Sequence, residues 1–101
     1  MGPGKARLIE LIDETGSISA AARVLDMSYR RAWQLVDALN QSFTEPVVLT
    51  AVGGKRGGGA AVTAFGREAA KAFRQMEAKA SSAIEAELQQ YTLRLKKSSR
   101  R

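Results

Sequence analysis

The sequence predicts a mainly α-helical protein that also contains one small β-hairpin. Residues 5–14 place leucine and isoleucine on one face and charged side chains on the other, as in an amphipathic helix. Residues 29–41 repeat apolar side chains at helical spacing. Two short stretches of strand-forming residues, 47–52 and 60–63, then flank a glycine-rich segment, and a long helical pattern follows them.

The first half of the chain predicts two helices that are joined by a tight turn. Ser17 and Ser19 are both candidate N-caps for a short second helix over residues 20–25. Ser28 follows a two-residue break and is an N-cap for the third helix over residues 29–41. This arrangement is typical of a helix-turn-helix, but alanine-rich helical hairpins also occur without DNA binding. The neighbouring elements therefore decide between the two interpretations.

The glycine-rich segment is predicted to be the tip of the hairpin. Five glycines in residues 52–59 surround Lys55 and Arg56. A nucleotide-binding P-loop needs Ser or Thr after its lysine and a helix after the loop, and neither follows here. An anion nest for a free oxyanion is the weaker alternative, because so few loop residues cannot wrap an oxyanion away from water. Beside a helix-turn-helix, the segment instead predicts a wing whose glycines let backbone N–H groups approach DNA phosphates.

The pattern after the hairpin predicts one long helix that pairs with a second copy of the chain. A helix of about 30 residues is roughly 45 Å long, which is longer than so small a core can cover. The alternative is that the helix folds back at residues 81–82 onto its own domain. The expected seam departs from heptad spacing between residues 80 and 88. Ala69 lies first on the same helix face, and the members of the seam are Phe73, Met76, Ala80, Ile84, Leu88, Tyr91 and Leu95.

These elements divide the chain into three parts. Residues 1–63 form the predicted winged helix-turn-helix, with the wing at about 47–63. Residues 64–95 form the dimerisation helix, and residues 96–101 form a basic tail.

Composition excludes several classes of function. The 101 residues contain neither cysteine nor histidine, which removes disulfides, Ser-His triads and the usual zinc sites. We expect no metal, no cofactor and no enzymatic activity. No apolar run is long enough to span a membrane and no secretory signal is present, which is consistent with a cytoplasmic protein. Five positive charges fall in residues 94–101, so residues 1–93 carry only +1, and the overall charge of +6 says little about DNA.

Specific motifs resemble the N-terminal DNA-binding domain of ModE-type molybdate-responsive regulators, which is itself similar to the LysR-type winged helix-turn-helix. The resemblance lies in residues 16–22, 27–33, 37–40, 52–60 and 62–66. It implies double-stranded DNA and a second copy of the chain as partners. Asp26 departs from the glycine that such turns often carry, although Asp tolerates the left-handed conformation at modest cost. Such regulators are expected to continue into molybdate-binding domains, so molybdate binding is not expected from this chain alone.

The candidate DNA-binding residues lie at the start of each helix of the helix-turn-helix and in the wing. Arg30, Arg31 and Gln34 are candidates for base contacts, since Arg suits guanine and Gln suits adenine. Trp33 is interpreted as a core residue and is left out of the site. The other candidates are Ser17, Ser19, Ser28 and Tyr29 on the helices and Gly53, Gly54, Lys55, Arg56 and Gly57 in the wing. The alternative function is a winged-helix protein-interaction module, or a partner of a separate oxyanion-sensing regulator.

Overall fold

The computed structural model describes residues 1–51 and 59–96 of the chain. Within these residues the elements follow the predicted order of three helices, two strands and a helical C-terminal region. They are α1 Pro3–Thr15, α2 Ile18–Val24, α3 Tyr29–Ser42, β1 Val48–Thr50, β2 Ala60–Val62, α4 Ala64–Ala83 and α5 Glu85–Leu93.

Helix α1 lies at the centre of the fold and packs against α2, α3, α4 and β2. It begins at Pro3, which suits a first turn because proline has no N–H to leave unpaired. It ends at Gly16, whose φ of 69° is left-handed and whose N–H donates to the carbonyl of Ile12 over 2.7 Å. The apolar face that the sequence predicted is buried, and it consists of Ala6, Leu8, Ile9, Leu11 and Ile12.

The two strands form an antiparallel hairpin that is anchored at both sides. Val48 pairs with Val62 and Thr50 with Ala60. The side-chain amide of Asn40, on α3, accepts hydrogen bonds from the N–H groups of Val47 and Val48 and donates to the carbonyl of Val48 over 2.9 Å. On the other side, the N–H of Ala60 donates to the carbonyl of Gly16 over 3.0 Å. The hairpin is therefore fixed to α3 and to the turn between α1 and α2.

Thr63 starts α4 and ties it to the segment before β1. Its hydroxyl accepts from the N–H of Gly66 over 2.8 Å, as an N-cap does, and donates to the carbonyl of Pro46 over 2.8 Å. Gly66 is buried against Val47, where a side chain would overlap the Val47 carbonyl. The start of α4 is thus held by close backbone packing.

The predicted single helix over residues 64–95 is divided at Ile84, between α4 and α5. Ile84 has φ −106° and ψ 8°, outside the helical range, and its β-branched side chain favours a helix less than most residues do. The division falls inside the interval where the heptad spacing slips. Helix α5 buries none of its residues, so it does not fold back onto the domain at residues 81–82.

No helix in the described part of the chain has both the length and the apolar character that crossing a membrane requires.

Candidate nucleic-acid interface

The turn between α2 and α3 has the tight geometry of a helix-turn-helix. Asp26 takes a left-handed φ of 55°, which confirms that an aspartate can replace glycine here. The N–H of Met27 donates to the carbonyl of Ala22 over 3.0 Å and closes the turn. Ala21 and Ala22 of α2 are buried in the core, and α2 packs against both α1 and α3. The turn therefore sets the angle at which α3 leaves the core.

Ser28 caps α3, as its sequence predicted. Its hydroxyl accepts a hydrogen bond from the N–H of Arg31 over 3.0 Å. The buried residues Ala32, Val36 and Leu39 fix the inner face of α3 on the core. Because these positions are three or four residues apart, the opposite face of the helix points to solvent.

That outer face carries the residues predicted to contact DNA. Tyr29, Arg30, Arg31 and Gln34 are all exposed, and they lie within the first two turns of α3. Among the described residues, the side chains of Arg30, Arg31 and Gln34 take part in no hydrogen bond or salt bridge. Two guanidinium groups and one amide are therefore available to an external partner.

Trp33 lies on this exposed surface, so its assignment to the core is wrong. It remains 37% exposed, and its ring meets the ring of Tyr29 edge to face with 6.3 Å between centroids. The signal in the sequence was the spacing of four residues between two aromatic side chains, which places them together on one helix face. The helical register of the buried residues Ala32 and Val36 leaves Trp33 at the border of the outer face.

The start of α2 places the two predicted serines in different roles. Ser17 is the N-cap, and its hydroxyl accepts from the N–H of Ala20 over 3.0 Å. Ser19 lies inside the helix, where its hydroxyl accepts from Nη1 of Arg23 over 3.2 Å on the exposed side. The sequence interpretation missed Arg23, although its spacing of four residues from Ser19 places both on one face. This end of the site therefore carries a cation as well as two hydroxyl groups.

The predicted wing is bracketed by the hairpin strands, which the structure confirms as an antiparallel pair. The last described hydrogen bond before the tip runs from the N–H of Ala51 to the carbonyl of Gly59 over 2.9 Å. The predicted contact residues Gly53, Gly54, Lys55, Arg56 and Gly57 lie outside the described residues.

The helix-turn-helix, the hairpin after it and the following helix define a winged helix-turn-helix protein. A solved structure with a similar fold is the full-length LTTR LysG from Corynebacterium glutamicum with bound effector Arg. The match has a TM-score of 0.58 at 23% identity and covers 87% of this chain and 29% of that chain. The likeness supports the predicted fold class.

Sequence relatives identify the kind of winged-helix protein. The molybdenum transport protein ModE of Azotobacter vinelandii is 38% identical over 81 residues, which are 80% of this chain and 30% of the relative. The molybdenum-pterin-binding protein MopB of Rhodobacter capsulatus is 46% identical over 78 residues, 77% of this chain and 29% of the relative. The DNA-binding transcriptional dual regulator ModE of Escherichia coli K12 is 38% identical over 65 residues, 64% of this chain and 25% of the relative.

The chain is therefore a homologue of the ModE-type regulators, which confirms the resemblance that its motifs predicted. It spans less than a third of the length of these relatives. No family model matches the chain.

Proposed function

We propose that this chain is the DNA-reading part of a transcriptional regulator, which acts by binding an inverted-repeat operator as a homodimer and not by catalysis. The observation that carries the proposal is the outer face of α3, where Arg30, Arg31 and Gln34 are exposed and unengaged within the described residues. Homology to transcriptional regulators supports the same interpretation.

Each candidate side chain has a chemical role that suits duplex DNA. The guanidinium groups of Arg30 and Arg31 can each donate two hydrogen bonds to guanine O6 and N7, and the amide of Gln34 can pair with adenine N6 and N7. Ser28 and Tyr29, at the start of α3, are placed to donate hydroxyl hydrogens to phosphates. Ser17 and Ser19, with Arg23, would contact the backbone from the start of α2.

The wing is proposed to add phosphate contacts. Lys55 and Arg56 follow β1 and precede β2 in a segment rich in glycine. Their charge and the small neighbouring residues suit close approach to a DNA backbone. An arginine at such a tip can also enter a minor groove.

The homodimer is proposed to form through the exposed apolar residues of α4 and α5. Met76, Ile84, Leu88, Tyr91 and Leu95 are each more than half exposed in the single chain. Apolar surface of this extent favours burial against a partner. A two-fold dimer would present its two α3 helices to half-sites about one or more helical turns apart.

The experiment that tests the function combines in vitro selection of bound duplexes with fluorescence anisotropy of a labelled duplex. Arg30→Ala or Arg31→Ala should weaken binding to the selected duplex by about 1–3 kcal/mol and relax the preference at particular bases. Arg7→Ala is the matched control, because it removes the same charge from an exposed side chain on α1. If the two α3 variants bind the selected and random duplexes as the original chain does, α3 is not the reading helix.

The wing is tested in the same assay at two or more salt concentrations. Lys55→Ala should weaken binding to all duplexes and reduce the slope of log affinity against log salt by about one unit. A Lys55→Ala/Arg56→Ala variant with unaltered affinity and salt slope would remove the wing from the interface. Absence of salt-dependent duplex binding by the original chain would favour the protein-interaction module instead. Selection of duplexes with and without molybdate and tungstate tests whether DNA binding by this chain itself responds to an oxyanion. An unaltered selection would leave oxyanion sensing to a separate partner.

A further inference from the structure

Two aromatic side chains, Tyr29 and Trp33, form a pair on the outside of α3 and do not belong to the buried core. Tyr29 is 53% exposed and Trp33 is 37% exposed. Their rings are 6.3 Å apart at an interplanar angle of 81°, an edge-to-face arrangement that holds the indole in one orientation. The pair therefore presents a fixed apolar surface to solvent, at the border of the face that carries Arg30 and Gln34.

The surroundings of this pair favour a nucleic acid over a protein as its partner. Arg30 and Arg31 follow Tyr29 directly, and Arg23 is exposed on the preceding helix. Two exposed acids lie near the pair: Asp26 in the turn before α3, and Asp37 one turn after Trp33, whose Oδ2 accepts a hydrogen bond from Nε2 of Gln41 over 3.4 Å. The three arginines outnumber these two acids, so the apolar surface lies in a region of net positive charge, which is complementary to a duplex groove between phosphates.

We propose that Trp33, oriented by Tyr29, contacts the 5-methyl group of a thymine in the major groove and so determines specificity for an A·T pair. This rests on the proposed function, because it requires that α3 enters the major groove. The thymine methyl is the only apolar group that the bases present in that groove, and apolar side chains are what read it. Arg30 and Gln34 cover the polar edges of guanine and adenine, so the indole supplies the contact that the polar residues cannot make.

Tyr29 is a positioning residue in this arrangement. At a spacing of four residues its ring contacts the indole edge to face. Its hydroxyl makes no hydrogen bond among the described residues and can donate to a phosphate. Tyr29→Phe keeps the edge-to-face contact and should keep thymine recognition. Tyr29→Ala removes the contact, so Trp33 should lose its fixed orientation and its discrimination between thymine and a base without the methyl group.

The first experiment uses the fact that Trp33 is the only tryptophan of the chain. The 101-residue chain is titrated with the selected duplex while the anisotropy of a label on the DNA and the tryptophan emission are recorded together. Contact with the groove should change the emission intensity or wavelength in proportion to the bound fraction. Binding by anisotropy with unaltered emission would overturn the Trp33 contact and leave the proposed function intact. Absence of binding by anisotropy would overturn both.

The second experiment removes the methyl group and leaves the protein unaltered. Each thymine of the selected half-site is replaced in turn by 2′-deoxyuridine, which pairs with adenine in the same way but lacks the 5-methyl group. At one position the original chain should lose about fourfold in affinity, the value expected for one buried methyl group. Trp33→Ala should bind the thymine and deoxyuridine duplexes equally, and Trp33→Phe should retain part of the discrimination.

Any of three outcomes would contradict the proposal. The first is that no thymine position in the half-site is sensitive to deoxyuridine, and the second is that the selected half-sites contain no A·T pair. The third is that Trp33→Ala keeps the full fourfold discrimination. The matched control is Gln41→Ala, an exposed residue near the end of the same helix, which should discriminate as the original chain does. Retention of the far-UV circular dichroism spectrum by Trp33→Ala shows that a loss of discrimination is not a loss of fold.

Discussion

Gly66 shows how a single residue sets the distance between two parts of the fold. It lies in the first turn of α4, buried against Val47 at the entry to β1. A Cβ atom on Gly66 would overlap the carbonyl oxygen of Val47 and come within 2.9 Å of its Cγ1. The nearest obstacle is a backbone atom and not the end of a flexible side chain. Relieving the overlap would therefore require a shift of the α4 backbone or of the segment before β1, which costs free energy in a closely packed core.

Gly66→Ala should therefore destabilise the protein, even though alanine is the better helix former. Overpacking of this kind costs about 1–3 kcal/mol, more than the roughly 0.5–1 kcal/mol that alanine gains over glycine in a helix. Gly4→Ala is the matched control in α1, where a Cβ would meet nothing within 4 Å. Urea unfolding should show a lower midpoint for Gly66→Ala and an equal or higher midpoint for Gly4→Ala. Equal shifts of the two would show that the contact with Val47 relaxes without cost.

Single residues also mark where the sequence was sufficient and where it was not. Ser17, Ser28 and Thr63 all act as N-caps, and a local pattern reveals them because the capped N–H lies three residues away. Oδ1 of Asn40 accepts hydrogen bonds from the N–H groups of Val47 and Val48, which follow it by seven and eight residues. Neither helical nor strand periodicity predicts contacts at these separations. Trp33 was misassigned because a large apolar side chain is buried only on average. In α3 the face that packs on the core consists of Ala32, Val36 and Leu39, and Trp33 does not lie on it.

At the scale of elements, two arginines of α4 hold α1 in place. The Nε of Arg74 donates to Oε2 of Glu10 over 2.8 Å and its Nη2 donates to Oε1 over 3.0 Å, so both carboxylate oxygens are engaged. Arg67 forms a second ion pair with Asp13 over 3.1 Å, one turn further along α1. Hydrogen bonding and charge from Arg74 lower the pKa of Glu10, although partial burial opposes the effect. The same contact raises the pKa of Arg74.

The lowered pKa of Glu10 predicts a loss of stability in acid. A carboxyl group whose pKa is lower in the folded than in the unfolded chain stabilises the fold above the unfolded value, about 4.3 for glutamate. That stabilisation disappears as the pH falls through the lower, folded value. The urea midpoint should therefore decrease below about pH 4, and Glu10→Gln should have a lower midpoint near neutral pH with a smaller further decrease in acid. Because the pair is partly exposed, the difference between the two proteins should shrink in high salt.

Asp13→Asn provides a comparison near neutral pH, since the pair of Asp13 with Arg67 is more exposed than the pair of Glu10 with Arg74 and has one hydrogen bond instead of two. Asp13→Asn should therefore lower the urea midpoint less than Glu10→Gln does. A Glu10→Gln protein with the same acid profile as the original chain would assign the decrease to other carboxyl groups.

The helices also differ in how far the sequence could define them. The bounds of α1, α2 and α3 follow from residues that stop or start a helix, such as Gly16 and Ser28. The division at Ile84 has no proline or glycine beside it, and the sequence signalled it only as a slip in heptad spacing. Since α5 buries no residue, tertiary packing does not stabilise a continuous helix through Ile84. Local conformational preferences therefore determine the backbone conformation at that position.

At the scale of the whole molecule, the C-terminal helices give the chain an elongated form. The principal extents are 57, 34 and 20 Å. Burial is concentrated in α1 to α3, the hairpin and the first half of α4, whereas residues 78–96 are all exposed. The exposed region carries Ile84, Leu88, Tyr91 and Leu95, so a single copy leaves a large apolar area in water. The winged-helix part has its own buried core, whereas residues 78–96 bury no apolar side chain within the single chain.

The last prediction concerns that partner. Met76→Glu combined with Ile84→Glu should convert the proposed dimer to monomers, because both side chains are exposed in the single chain and a charge there would be buried only in the dimer. Sedimentation equilibrium should give twice the chain mass of 10.9 kDa for the original protein and the single-chain mass for the variant. Gln75→Glu combined with Gln90→Glu is the matched control, because it adds the same charge to exposed positions off the seam and should remain dimeric. A variant that keeps the dimer mass would refute the seam, and an original chain that stays monomeric at all concentrations would refute the homodimer itself.

The monomeric variant should retain weak binding to one half-site, since α3 and the hairpin belong to the part of the chain that carries its own core.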